Sequence, residues 1–191
     1  KLFYIMGKSA SGKDTIYQRL LRNPEFSLER LVIYTTRPIR DGELDGREYH
    51  FVTEEDFQKL KAEGKIIEDR GYETVYGLWR YFTADNMNLE EKSYLGIGTL
   101  ESYEKLKAYY GEEKIRPIYI EVEDGERLSR ALNRERMQES PKYEELCRRF
   151  LADAKDFSEE KLNEAGITRR FVNQDLDETE EEIRRVILEN R

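Results

Sequence analysis

Leu2-Phe3-Tyr4-Ile5-Met6-Gly7-Lys8-Ser9-Ala10-Ser11-Gly12-Lys13-Asp14-Thr15 is the stretch that decides the fold. Its first five residues form a short apolar run without helical spacing, bounded by Gly7, and they read as a buried strand. From Asp14 to Arg22 the apolar residues Ile16, Leu20 and Leu21 recur at helical spacing. Between strand and helix stands Gly-x-x-x-x-Gly-Lys, the pattern and the setting of a phosphate-binding loop. Glycines let backbone N–H groups curl around phosphate oxygens, and the helix start adds a favourable dipole. Lys8, Ser9, Ala10 and Ser11 supply the intervening backbone, and Lys13 supplies a point charge for the β- and γ-phosphates of ATP. Such loops usually place Ser or Thr after the lysine; here Asp14 stands there and Thr15 follows. Asp14 has two readings: a carboxylate that holds magnesium, directly or through water, or a residue that only favours the first helical turn.

Outward from this motif, Leu31-Val32-Ile33-Tyr34, Tyr94-Leu95-Gly96-Ile97, Ile115 to Val122 and Phe171-Val172 read as further short strands. Glu101 to Tyr109, Asp124 to Gln138, Tyr143 to Phe157 and Glu178 to Glu189 read as helices. Strands that alternate with helices predict an α/β fold with a parallel sheet covered on both faces. The stretch from about Arg37 to Arg80 breaks the alternation and reads as an inserted subdomain. It opens with Pro38, Gly42 and Gly46 among charges, a loop by composition. Thr53-Glu54-Glu55-Asp56 then predicts a capping box at a helix start. Ile66 to Trp79, rich in β-formers and aromatics, predicts two small strands around Gly71.

Composition narrows the function classes. The chain has 191 residues, 39% charged and 38% hydrophobic, with a net charge of -8. That suits one domain with one core. An acidic chain repels phosphate backbones on average, which argues against a nucleic-acid binder. The single cysteine, Cys147, permits no internal disulfide and points to a reducing, cytoplasmic setting. Its helical pattern with Tyr143, Leu146 and Phe150 predicts a half-buried structural thiol. His50 is the only histidine. That excludes a His/Cys metal site, and also a Ser-His-Asp nucleophile unless His50 is its base. No stretch reads as a signal peptide or a membrane span.

The run from Thr35 to Val52 carries the second half of the chemistry. A phosphomonoester has close to two negative charges, and Arg37 and Arg40, three apart on a curved loop, can converge on it bidentately. Tyr49 and Tyr76 can add hydroxyl donors to the same phosphate, although on their own such tyrosines are more often packing residues than ligands. Glu68 has two readings: a pair of acceptor oxygens that suits the N1–H and exocyclic amine of guanine, or a carboxylate after Ile66-Ile67 that simply points to solvent.

This run resembles the acceptor loop of guanylate kinases, whose pattern is Thr-Thr-Arg, then Pro and Arg, Gly-Glu, Gly, and Tyr-x-Phe. The resemblance continues through Ile67-Glu68, Val75-Tyr76-Gly77 and Asn173-Gln174-Asp175-Leu176, and with the phosphate loop it covers nearly the whole chain in order. It implies a three-layer P-loop NTPase fold and the reaction GMP + ATP to GDP + ADP, with Mg2+ as cofactor and ATP and GMP as the small-molecule partners. One domain over residues 1–191 is expected: a core of about 1–36, 81–123 and 158–191, an acceptor-binding subdomain of about 37–80, and a helical lid of about 124–157. Two lid arginines are expected at the transferring phosphoryl group. Arg134 and Arg149 match best, with Arg136 a close rival to Arg134, and they would act beside Lys13. Asn173 corresponds to the adenine end of the ATP site.

The chain also departs from the family pattern. Ile33 and Leu78 stand where serines are expected, and Gly96 and Gly98 stand where an acidic pair is expected on the middle strand. The phosphate grip is intact, while the base-reading set is thinned to Glu68. Two other functions fit parts of the pattern. A ribose 1,5-bisphosphate phosphokinase would explain Asp14 and the missing base readers. A non-catalytic guanylate-kinase-like binding module would share the fold, although such modules typically have a degraded phosphate loop.

Overall fold

The computed structural model describes residues 1–74 and 76–190. Its central sheet has five parallel strands in the order β2-β7-β1-β8-β9: β1 (Leu2–Met6), β2 (Glu29–Arg30), β7 (Tyr94–Ile97), β8 (Ile115–Glu121) and β9 (Arg170–Val172). A second, mixed sheet runs β4-β3-β6-β5: β3 (Tyr34–Thr35), β4 (His50–Phe51), β5 (Ile66–Thr74) and β6 (Gly77–Ala84). Seven α-helices complete the described residues: α1 (Lys13–Arg22), α2 (Glu54–Ala62), α3 (Leu100–Tyr110), α4 (Asp124–Arg136), α5 (Tyr143–Asp156), α6 (Glu159–Glu164) and α7 (Leu176–Glu189).

β1 shows why its run is apolar throughout. Leu2, Tyr4 and Met6 point into one core cluster, with α3 and Leu162 of α6. Phe3 and Ile5 point into another, with α1 and α7. A strand covered on both faces has no polar side to alternate with. The three layers are therefore helix, sheet and helix, and the loop after β1 emerges at the carboxyl edge of the sheet.

Three local expectations are corrected. Leu31 to Tyr34 is not one strand: β2 ends at Arg30 in the central sheet and β3 begins at Tyr34 in the second, so the chain crosses between sheets there. Gly71 is not a break between strands either. β5 passes through it in register with Arg80, and the hairpin turns between Thr74 and Gly77, where Gly77 takes φ 103. Cys147 is exposed rather than half-buried, because α5 does not belong to either large core cluster. The capping box forms as expected: Asp56 N–H donates to Thr53 Oγ1 at 3.1 Å and Thr53 N–H to Asp56 Oδ2 at 3.0 Å.

Candidate active site

The phosphate loop is held from below. Gly7 lies so close to the Ile120 carbonyl that a Cβ there would stand 2.6 Å from its oxygen. Gly12 takes a left-handed φ of 87 as the N-cap of α1, and Ala10 takes φ 62. Asn173 Nδ2 donates to the Ser11 carbonyl at 2.8 Å, and both side chains are buried. Asn173 thus supports the loop with its amide while also lining a cavity of about 300 Å³ with Arg130 and Val172. Lys13 Nζ lies 3.2 Å from the carboxylate of Asp14, whose side chain is 82% exposed; Thr15 is exposed beside it.

Among the described residues no three His, Cys, Asp or Glu side chains cluster as a metal cage. A single hard oxygen donor beside a phosphate loop fits the other pattern. Magnesium is commonly held by one or two carboxylates together with the phosphates of its nucleotide.

α4 and α5 stand over the loop. Ser9, Arg134, Arg149, Glu145 and Phe150 are among the residues that line a cavity of about 250 Å³ between them, and Arg136 is not. Arg149 Nε donates to Glu145 at 2.9 Å, and Arg148 and then Arg149 hold the Glu145 carboxyl down at about 2. The base of this helix pair is tied to the loop. Ser9 N–H donates to Asp153 at 2.7 Å, and Arg127 Nη1 donates to the Ser9 carbonyl at 2.9 Å. Arg127 is only 1% exposed. Its charge is met by Asp124 at 2.8 Å, Asp153 at 3.5 Å and the Phe150 ring at 4.7 Å. This cluster escaped the sequence reading, because Arg127 and Asp153 carry no mutual signal across 26 residues.

On the loop after β3, Arg37 is 4% exposed. Its guanidinium donates to both oxygens of Glu43, at 2.9 and 2.8 Å, and to the Pro38 carbonyl at 2.8 Å. It also lies over the rings of Tyr49 and Phe51. The Arg40 backbone N–H donates to the same Glu43 carboxylate at 2.8 Å, while the Arg40 residue is exposed. Hydrogen bonding by Arg37, then by the Arg40 amide, holds the Glu43 carboxyl at about 2. Glu68 is buried and accepts from Thr83 Oγ1 at 2.9 Å. Tyr49 lines a cavity of about 470 Å³ with Ile33, Arg70, Tyr72, Trp79 and Tyr81. Tyr76 is not part of that lining: it stands 82% exposed, stacked on Trp79 with centroids 6.0 Å apart. Val75, part of the expected Val75-Tyr76-Gly77 match, lies outside the described residues.

The two glycines of the middle strand have a structural reason. Tyr4 of β1 is in register with Gly96 of β7. A Cβ on Gly96 would stand 2.6 Å from the Tyr4 ring, and one on Gly98 would run into the Tyr4 hydroxyl. The phenol therefore fills the space that strand carboxylates would need. Burial, and then the charge of Glu68, push the Tyr4 hydroxyl well above the usual tyrosine range. A bulky residue opposite two glycines was the available signal.

Comparison with known proteins agrees with this architecture. The guanylate kinase family model matches residues 1–190. A guanylate kinase of Porphyromonas gingivalis is 30% identical over 98% of this chain and 96% of its own length. One from Schizosaccharomyces pombe is 40% identical over 53% of this chain and 44% of its own. The crystal structure of guanylate kinase from Anaplasma phagocytophilum aligns with a TM-score of 0.62 at 22% identity, over 98% of this chain and 84% of that one, and so shares its fold. With a family match along essentially its whole length, the chain belongs to the guanylate kinase family.

Proposed function

We propose that this chain transfers the γ-phosphoryl group of ATP to GMP, giving GDP and ADP. The observation that carries the reading is the coexistence of a complete phosphate loop ending in Lys13 with a second sheet whose loop buries Arg37 beside Tyr49. A phosphate oxygen of GMP forms the new bond to the γ-phosphorus as the bond to the β,γ-bridging oxygen breaks, and ADP leaves. No covalent enzyme intermediate is needed. Catalysis comes from positioning and charge neutralisation. Lys13 and the amides of residues 7 to 15 hold the donor phosphates. Arg37, Arg40 and Tyr49 hold the acceptor phosphate, Tyr76 adds its hydroxyl on leaving its exposed stack on Trp79, and Glu68 faces the guanine edge. Arg134 and Arg149 approach the transferring group from the lid cavity and stabilise its charge.

Magnesium would be held by Asp14 together with the nucleotide phosphates, and when bound it supplies charge neutralisation at the phosphate oxygens. Asn173 borders the adenine end. The working division is a core of about 1–36, 81–123 and 158–191, an acceptor-binding subdomain of about 37–80 and a lid of about 124–157. No helix among the described residues is long and apolar enough to cross a membrane, and a cytoplasmic site of action fits the lone exposed thiol. A coupled ADP-release assay against GMP, AMP, UMP and ribose 1,5-bisphosphate tests the proposal. GMP should be the best acceptor. Turnover of the bisphosphate alone would replace it.

A further inference from the structure

We infer that Arg70 is a second base-reading residue, which donates to the O6 and N7 side of the guanine whose N1–H edge faces Glu68. The inference rests on the acceptor-site reading above. The β5–β6 hairpin pairs Glu68 with Thr83, Arg70 with Tyr81, and Tyr72 with Trp79. Side chains two apart share a strand face, so these three rungs form one continuous surface. Arg70, Tyr72, Trp79 and Tyr81 of that surface line the cavity of about 470 Å³. Glu68, fixed by Thr83, adjoins it.

Arg70 is held beside Glu68 without being spent on it. Its Nε lies 3.3 Å from Glu68 Oε2. Yet that Nε is buried and, among the described residues, has no aligned hydrogen-bond acceptor. A buried donor that touches its ion-pair partner but makes no aligned hydrogen bond needs an explanation, and a ligand that organises the guanidinium provides one. The chemistry selects the ligand. Guanine presents O6 and N7 as acceptors, and arginine bidentate to that pair is the commonest specific contact to guanine. Its N1–H and exocyclic amine are donors for a neighbouring carboxylate. An adjacent cationic donor and anionic acceptor thus match guanine along its edge. Adenine would set its exocyclic amine, a donor, against the guanidinium. Ile33 in the same cavity is apolar and offers no donor, so Arg70 fills the position that the thinned base-reading set leaves open. It also places a positive charge beside the buried Glu68 carboxylate, which would otherwise meet guanine as a lone charge.

The test compares GMP, 6-thio-GMP (a weaker acceptor at C6) and 7-deaza-GMP (no N7 acceptor) in the wild type and in Arg70→Ala. Arg70→Met serves if the alanine variant does not fold. The wild type should lose roughly five- to hundredfold in kcat/KM on at least one analogue, the worth of a good bidentate contact. The variant should suffer that loss on GMP and then treat GMP and the analogue alike, with ATP KM unchanged. A wild type indifferent to both analogues overturns the assignment. So does an analogue penalty that persists in the variant, whether all acceptors weaken together, as for a phosphate grip, or none does. If the wild type does not phosphorylate GMP at all, the acceptor-site reading itself fails and the inference falls with it.

Discussion

Glu43 holds the buried guanidinium of Arg37 through both of its carboxylate oxygens, at 2.8 and 2.9 Å, and receives the backbone N–H of Arg40 on the same group at 2.8 Å. One acidic side chain thus pins both arginines' segments of the loop after β3, the proposed acceptor loop. The two arginines should therefore fail differently. Arg40→Ala removes an exposed donor. It should raise acceptor KM while leaving the urea midpoint close to wild type, within about 0.5 kcal/mol in stability. Arg37→Ala removes the loop's buried anchor as well, so acceptor KM should rise and the midpoint should fall. ATP KM should stay constant in both. An equal loss of ATP and acceptor affinity would place these arginines elsewhere.

The same pair sets a pH dependence. The Glu43 carboxyl is depressed from its ordinary 4.5 to about 2. A group with a depressed folded value stabilises the fold above its unfolded value, and that contribution is lost as pH falls through the folded one. Stability measured by urea unfolding should therefore decline between pH 4.5 and about 2. Glu145 adds to the same window, since Arg148 and Arg149 hold it at about 2 as well. Glu43→Gln should flatten the decline. A variant with the wild-type slope would show that the pair does not form in solution.

Lys13 and Asp14 lie 3.2 Å apart at the helix start, and two substitutions separate their roles. Lys13→Met should abolish most phosphoryl transfer with the fold intact, because the lysine supplies transition-state charge stabilisation; near-normal turnover would defeat the kinase reading. Asp14→Asn should raise the magnesium concentration needed for half-maximal velocity. An unchanged magnesium titration would leave Asp14 with the helix start alone.

What could be read from the chain follows from the range of the forces involved. Leu2 to Lys13 was legible because a two-faced strand, a glycine turn and a helix start are all local. The Thr53–Asp56 box was legible for the same reason. The passage of Leu31 to Tyr34 from one sheet to the other was not, since apolar composition does not name a strand's partner. Gly71 misled because glycine also fits an extended strand, and the hairpin instead turns at Gly77, whose φ is positive. Cys147 misled because helical periodicity gives a face but not what covers it. The motif singled out Arg37, and the fold buries it on the loop after β3 in a pair with Glu43. Arg70 becomes visible only once the hairpin register sets it beside Glu68, and Tyr4 only once β1 lies against β7.

The cluster at Ser9 makes the last prediction, about which part of the α4–α5 pair, the proposed lid, moves. Arg127 bonds the Ser9 carbonyl and Asp124, and Asp153 receives the Ser9 N–H. The first turn of α4 and the last turn of α5 are therefore anchored to the phosphate loop. The far ends of both helices, around residues 137–142, are exposed and lack such ties. Closure over the substrates should accordingly pivot about the anchored base, expelling water as the site completes. Amide exchange at residues 137–142 should slow when a bisubstrate analogue binds, while amides near Arg127 and Asp153 should be protected before it is added. Removing the anchor should be costly. Arg127→Ala leaves Asp153 without its cation and Asp124 with Lys8 alone, at about 3 kcal/mol, the lower end for a broken buried pair because Asp124 is half exposed and keeps that second partner. It should also raise exchange across α4 without ligand. Uniform slowing along both helices on binding, with no prior protection at the base, would mean that the lid moves as one body and that the Ser9 contacts do not act as its pivot.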